Sequence, residues 1–305
     1  MRAVRFDHYG GREVLSVVDL EDPVAAVGEV VVEVRAAGIN PGEAAIRQGA
    51  LAAIFPATFP SGEGSDLAGV ITAVGDGVTD FRVGDEVMGW SWRRSSHAES
   101  VAVPVTQLIP KPPALAWEVA GSLYVVGCTA FAAVRAIDAG EGDVVVVSAA
   151  AGGVGTVVVQ LLGTKGATVI GIASERNHDW LTAHGATPVA YGADLAARIL
   201  AVAPDGVDSF IDLFGPQYLD LAVELGIPVE RIETVAARDK AAEIGAKAEG
   251  GTTASTPEVL SEMAELVVSG QIEIPIAATY PLERVVDAFA ELEERHTRGK
   301  IVLIP

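Results

Sequence analysis

The stretch Asp143-Val-Val-Val-Val-Ser-Ala-Ala-Ala-Gly-Gly-Val-Gly155 runs from a β-branched apolar segment straight into a glycine-rich turn. Val144 to Val147 shows no polar alternation, as expected of a central parallel strand covered on both faces. Beyond the turn, Thr156 to Leu162 carries a helical apolar pattern, so the backbone N–H groups at the helix start would point at an anion. A second strand, Thr168 to Ile172, follows Gly163-Thr-Lys-Gly166 and completes a βαβ unit of ~30 residues. Gly152 would let a pyrophosphate approach the backbone, and Gly155 would let the helix pack close to the strand. The fingerprint G-x-G-x-x-G is only partly matched, because Ala150 stands where it would begin. The bland alternative is a tight strand–helix junction that binds nothing.

At 305 residues the chain exceeds the ~100–200 residues usual for one domain, which suggests two. No apolar run reaches the ~18–20 residues of a membrane span, and Met1-Arg-Ala-Val-Arg-Phe-Asp-His8 has no signal-like apolar region, so a cytoplasmic location without membrane partners is expected. The single cysteine, Cys128, excludes an internal disulfide and fits a reducing compartment. A net charge of −20, with only 21 Lys and Arg, argues against nucleic acid as a partner. A phosphate-rich cofactor would then be held by backbone amides, a helix dipole and a few local cations.

Residues 1 to about 118 read as β-rich and turn-rich, with strands near Arg2–Phe6, Glu29–Ala37, Gly69–Val74 and Glu86–Met88. From Trp117 the pattern changes to alternating helix and strand: helix Val119–Ala136, the βαβ unit, helix Asp179–His184, strand Thr187–Ala190, helix Ala193–Val202 and strand Ser209–Leu213. This predicts an α/β protein with a doubly wound parallel sheet of Rossmann type. Helices at Pro257–Ser269 and Leu282–His296 and a strand at Lys300–Ile304 follow. The last strand needs a sheet to join and is expected to return to the first domain.

Six stretches carry a resemblance over nearly the whole chain: Ala36-Ala-Gly-Ile-Asn-Pro41, Gly64-Ser-Asp-Leu-Ala-Gly69, Val74-Gly-Asp-Gly-Val78 with Val83-Gly-Asp85, Ala149-Ala-Ala-Gly-Gly-Val-Gly155, His184-Gly-Ala186 and Arg298-Gly-Lys-Ile-Val-Leu303. The chain resembles the medium-chain dehydrogenase/reductase superfamily in its zinc-independent quinone oxidoreductase (zeta-crystallin-like) branch. The family uses the Ala-Ala-x-Gly-Gly-Val-Gly spelling of the turn. The resemblance implies a β-rich GroES-like catalytic domain made of residues 1–118 and 270–305, a Rossmann domain at 119–269, a cofactor in the cleft, a small-molecule substrate and a homodimer formed through the nucleotide domain. The segment Gly226–Thr252 looks reduced, and the strand near Arg231–Thr234 that would serve the dimer is expected to be altered.

A catalytic zinc needs three protein ligands. The family's zinc-binding histidine is Ser65 here and its thiolate position is Asn40, while His8, His97, His178, His184 and His296 are scattered. No metal is expected. An NAD-preferring Rossmann unit carries an acidic residue at the end of its second strand, whereas NADPH calls for small polar and cationic groups there. That strand ends in Ser174-Glu-Arg-Asn177, so Ser174 and Arg176 favour NADPH and Glu175 opposes it unless its side chain faces away. Asn177 replaces a frequent family lysine. By resemblance Tyr191 contacts the same phosphate, Thr129 lies near the nicotinamide ribose, and Ala149, Gly152, Gly153, Val154 and Gly155 form the pyrophosphate turn. Lys300 either reaches the cofactor or caps a surface.

Without a metal, reducing a polarised acceptor is easier than oxidising an alcohol, provided a donor stabilises the developing oxyanion. The expected activity is NADPH-dependent reduction of quinones or α,β-unsaturated carbonyls. Alternatives are an enoyl-thioester reductase, for which Arg93-Arg94 is the one paired cation, and a non-catalytic NADPH-binding protein. Asn40 is the first candidate donor, with a rival role in tying down the Asn40–Pro41 turn. Ala44-Ala45 stands where related reductases carry a proton-donating tyrosine, which leaves water. Tyr9, Phe55, Trp90 and Trp92 are read either as the substrate mouth or as packing. His97 would narrow that pocket.

Overall fold

The computed structural model describes residues 1–305, which divide into two compact units. One unit comprises Met1–Val125, Thr256–Val268 and Ile276–Pro305; the other comprises Val126–Ser255 and Ser269–Pro275.

The second unit is built on five parallel strands in the order Ala186–Ala190, Thr168–Ala173, Val144–Val147, Ser209–Asp212, Ile232–Thr234. Val145, Val146 and Val147 are buried in the middle strand, which is why that segment shows no polar alternation. The chain fills the sheet outward from Val144–Val147 in one direction and then reverses to lay down Ser209–Asp212 on its other side. Ligands of open α/β sheets bind outside the strand carboxyl ends at such a reversal. Phe210, Ile170, Ile199, Leu219 and Ile232 belong to one core cluster beneath the sheet. The segment expected to be reduced supplies a three-residue edge strand, Ile232–Thr234, a single bridge from Glu233 to Lys247 and the short helix Arg238–Ile244.

The first unit holds a sheet ordered Ile276–Pro281, Lys300–Ile304, Glu29–Gly38, Asp66–Val74, Glu86–Trp90, Leu108–Pro110, with Ser100–Pro104 also paired to Glu29–Gly38. A smaller sheet joins Ser16–Asp19, Arg2–Phe6 and Ser61–Gly62. Lys300–Ile304 does return to this unit, pairing antiparallel with Glu29–Gly38 through Val302↔Gly38 and Leu303↔Ala37.

Three readings need correction. Helix Pro257–Val268, assigned from sequence to the Rossmann domain, groups with the β-rich unit, where it packs on Leu108–Pro110. The single helix expected at 119–136 is two, Trp117–Ala120 and Leu123–Ala136. They part at Gly121, whose carbonyl accepts from Gly38 N–H at 2.6 Å, and a Cβ there would lie 2.3 Å from the Ala36 carbonyl oxygen. The strand Ile276–Pro281 was missed because its edge position leaves alternate residues exposed and none fully buried.

Candidate functional site: a dinucleotide turn and a buried ionic cluster

In the nucleotide-type unit, the strand Val144–Val147 leads through Ser148 to Ala149, whose φ of +46° starts the turn. Gly152 N–H closes it on the Ala149 carbonyl at 2.9 Å, and the helix Gly153–Thr164 follows with no side chain capping its N-terminus. The first N–H groups of that helix lack intrahelical acceptors, and Gly152, Gly153 and Val154 are only half-buried. A Cβ on Gly155 would sit 2.2 Å from the Ala149 oxygen, so this glycine is dictated by helix-to-turn packing. At Gly152 such a Cβ would meet one atom only, the Ala149 carbonyl oxygen at 3.3 Å, so that face of the turn is far less crowded than at Gly155. Ala150, the departure from the fingerprint, is fully buried with its Cβ against Gly171. The methyl fills space vacated on the neighbouring strand. This turn fits the pyrophosphate of a nicotinamide dinucleotide.

The turn is anchored by groups the sequence reading overlooked. Asp212, fully buried, accepts through Oδ1 from Ser148 Oγ (2.7 Å), Phe214 N–H (2.9 Å) and Gly215 N–H (3.1 Å), and through Oδ2 from Thr234 Oγ1 (2.7 Å). It ties together the carboxyl ends of three strands at the point where the sheet order reverses. A Ser immediately after one strand and an Asp closing another were the only available signals.

The strand Thr168–Ala173 ends at Ser174, whose Oγ accepts from Asn177 Nδ2 at 3.2 Å. Asn177 is buried, so it braces Ser174 rather than facing a phosphate. Arg176 and Glu175 are exposed on a short 3-10 turn. Tyr191 is 53% exposed at the end of the strand Ala186–Ala190. Thr129 is buried on helix Leu123–Ala136, and Gly251 lies so close that a Cβ there would be 2.6 Å from Thr129 Oγ1. Cys128 beside it is buried.

In the β-rich unit, the loop after Glu29–Gly38 carries Asn40, which caps helix Pro41–Arg47 in a capping box with Glu43. Asn40 Nδ2 donates to Glu43 Oε1 (3.2 Å) and Asp66 Oδ2 (3.0 Å), while its Oδ1 accepts from Lys300 Nζ at 2.5 Å. Lys300 also donates to the Ile39 carbonyl (3.0 Å) and to Asp66 Oδ2 (3.2 Å). Glu43 in turn accepts from Ser65 N–H at 2.8 Å, and Asp66 Oδ1 from Val125 N–H at 2.7 Å. Burial pushes both carboxyls above their ordinary range, opposed by the Lys300 ammonium.

Two assignments fall to this geometry. Asn40 has both amide hydrogens committed to buried carboxylates, so none is left for an oxyanion; its turn-fixing role is the one observed. Lys300 is buried with its three hydrogens matched to three acceptors, so it is an internal counter-ion and not a cofactor ligand.

His97 is also interior, its Nε2 3.2 Å from the Gly38 carbonyl and its Nδ1 unpartnered. Burial pulls its pKa down to about 4, so the ring is neutral near pH 7. It therefore lines the protein core rather than narrowing a mouth. Nearby Glu63, close to the fully buried Arg47, is driven well above the carboxylate range by burial and by Glu43. Among the expected aromatics, Trp90 is stacked on Tyr124 with centroids 4.6 Å apart and Trp92 stands edge-on to both. Trp90 is 2% exposed and Trp92 46%, so only the second offers a surface. Tyr9 belongs to a different group, packed edge-on against Phe59 with its hydroxyl accepting from Ala57 N–H. Phe55 is half-buried on the turn closed by its N–H to the Leu51 carbonyl.

A two-unit protein with a parallel sheet reversing at a glycine turn and a separate β-rich unit defines a dinucleotide-binding class. Residues 26–113 match the family described as "Alcohol dehydrogenase GroES-like domain", and residues 184–303 that described as "Zinc-binding dehydrogenase". The quinone oxidoreductase of Mus musculus is 30% identical over 100% of this chain and 98% of its own length. The synaptic vesicle membrane protein VAT-1 homolog of Rattus norvegicus is 30% identical over 93% of this chain and 78% of its own. The structure of the quinone oxidoreductase from Coxiella burnetii superposes with a TM-score of 0.89 at 31% identity, covering 100% of this chain and 99% of that one. The chain belongs to the medium-chain dehydrogenase/reductase superfamily, in its zinc-independent quinone oxidoreductase branch, and is an oxidoreductase.

Proposed function

We propose that the protein is an NADPH-dependent, metal-independent reductase of quinones or α,β-unsaturated carbonyls. The observation that carries the metal-free reading is the donor set at the family's zinc position: Asn40 and Ser65 replace thiolate and imidazole, and the Lys300 ammonium occupies the group of acceptors that Asn40 and Asp66 form. No three His, Cys, Asp or Glu side chains converge to hold a metal ion. The name of the Mus musculus relative supports a quinone as acceptor.

The cofactor, when bound, supplies a hydride. The chain's own residues would hold it: the N–H groups at Gly153–Gly155 would receive the pyrophosphate, and Ser174 and Tyr191 would flank the adenosine phosphate, while Asp212 holds the surrounding loops. With Asn40 committed and Ala44-Ala45 unable to donate, the proton comes from water. No helix is long and apolar enough to cross a membrane. The family resemblance supports a homodimer, and we place the protein in the cytoplasm.

The test is the rate of NADPH and NADH oxidation with ortho- and para-quinones, 2-alkenals and crotonyl thioester, before and after a chelator. Turnover of quinone or alkenal with NADPH that the chelator leaves unchanged is expected. Chelator-sensitive turnover defeats the metal-free reading, crotonyl thioester as the sole acceptor defeats the acceptor class, and NADPH binding without turnover of any acceptor defeats the enzyme reading.

A further inference from the structure

We infer that Arg198 is the cation that receives the 2′-phosphate of NADPH, through the Nε/Nη2 edge of its guanidinium. This rests on the NADPH reading above and deepens it. The parallel register pairs Ala173 with Ala190, so Ser174 and Tyr191 leave the sheet side by side as the next residues of their strands. The chain then turns through Gly192, with φ of +127°, and Asp194, with φ of +55°, into helix Leu195–Val202. Arg198 lies in the first turns of this helix, and its Nη2 is 3.8 Å from where a Cβ on Gly192 would be. Its guanidinium thus reaches back to Gly192, the residue that follows Tyr191.

Nε and Nη2 of Arg198 are both shielded from solvent and have no hydrogen-bond partner. These two atoms form the side-on edge that grips two oxygens of one phosphate. A vacant edge is unexpected in a chain with 41 acidic residues against 21 basic ones. What lies beside it is the turn 191–194, exposed at all four residues, so a modest shift of that turn opens the edge without disturbing the core. Asn177 is turned inward onto Ser174, and the rival cation is Arg176, exposed on the 3-10 turn that follows Ser174. A 2′-phosphate at the end of the second strand requires a cation there, and Arg198 meets that requirement from the neighbouring strand's crossover helix.

The experiment is equilibrium titration of the full chain with NADPH, NADH, adenosine 2′-monophosphate and adenosine 5′-monophosphate, for the unchanged protein, Arg198→Met and Arg198→Lys. Arg198→Met is expected to weaken NADPH and the 2′-monophosphate roughly 10- to 100-fold, the range for hydrogen bonds to a charged group. NADH and the 5′-monophosphate should bind as before, which also shows that the variant is folded. Arg198→Lys should recover part of the loss, because it keeps the charge without the fork. An unchanged NADPH-to-NADH ratio in Arg198→Met, or equal weakening of both, overturns the assignment. An unchanged protein that binds NADPH no better than NADH overturns the underlying NADPH reading as well, and so separates the two failures.

Discussion

The glycine turn at Ala149–Gly155 and the ionic cluster around Lys300 are both polar constructions, yet they are built in opposite ways. The turn is made of backbone, its key contacts lie within a few residues of each other, and its specificity comes from leaving side chains out. The cluster is made of side chains from distant segments: Asn40, Glu43, Asp66 and Lys300 meet across separations of up to 260 residues. The turn keeps its donors for a ligand, whereas the cluster uses all of Lys300's donors on itself. A backbone site can be both rigid and open, because the peptide groups are held by the fold while their N–H vectors stay free. A buried charge has no such freedom, since any unpaired member is costly.

The largest effect should come from breaking the cluster. Lys300→Met leaves Asp66 and Glu43 without their counter-ion and is expected to cost about 3–5 kcal/mol, measured by denaturant unfolding near pH 8. The loss should shrink as pH falls and the two carboxyls, raised by burial, take up protons. A loss that does not vary with pH would mean that packing, not charge, holds the cluster. At the turn, Gly155→Ala forces a Cβ against the Ala149 carbonyl oxygen and should cost about 3 kcal/mol together with loss of dinucleotide binding. The same change at Gly152, where the single contact is the Ala149 carbonyl oxygen at 3.3 Å, should cost clearly less stability than Gly155→Ala while still reducing binding. Equal stability losses at the two glycines would erase the distinction between packing and ligand faces.

His97 tests the interior of the same unit through pH. Its pKa is about 4 when folded, against 6.5 for the free side chain, so the unfolded chain binds a proton that the folded one refuses between those values. Stability from this site is complete above pH 6.5 and is lost as pH falls toward about 4, by on the order of 3 kcal/mol. Gly38, Asp66, Lys300, Arg47 and Glu43 face the ring and set this balance. His97→Gln should flatten the acid limb of the melting temperature across that window. The smallest effect is expected at Glu63. Its raised pKa means that the folded chain holds a proton the unfolded one releases, so stability falls as pH rises above 4.5 through the folded value. Glu63→Gln should therefore stabilise the protein by about 1 kcal/mol at pH 8 and do little at pH 4.

Much of the nucleotide unit was legible in the chain. An unbroken β-branched run, a glycine turn and a helical apolar period are local signals, and each produced the expected element at nearly the expected residues. The strand Ile276–Pro281 and the break at Gly121 were not, because the first depends on a partner strand and the second on the backbone of Ala36 and Gly38. At the candidate site the same division holds. Gly155 was read from its neighbours in sequence, whereas Asp212 was marked only as an acid closing a strand, with nothing local to say that it would join three strand ends.

The sequence alone determined the dinucleotide turn and the replacement of the family's zinc donors by Asn40 and Ser65, since residue identity decides which atoms are available. Only the tertiary structure decided what those atoms do. It showed Asn40 and Lys300 consumed by Asp66 and Glu43, Asn177 turned onto Ser174, and His97 sealed in the core. The physical reason is that a hydrogen-bond donor has a fixed number of hydrogens, and which acceptors claim them depends on segments that the chain brings together only by folding.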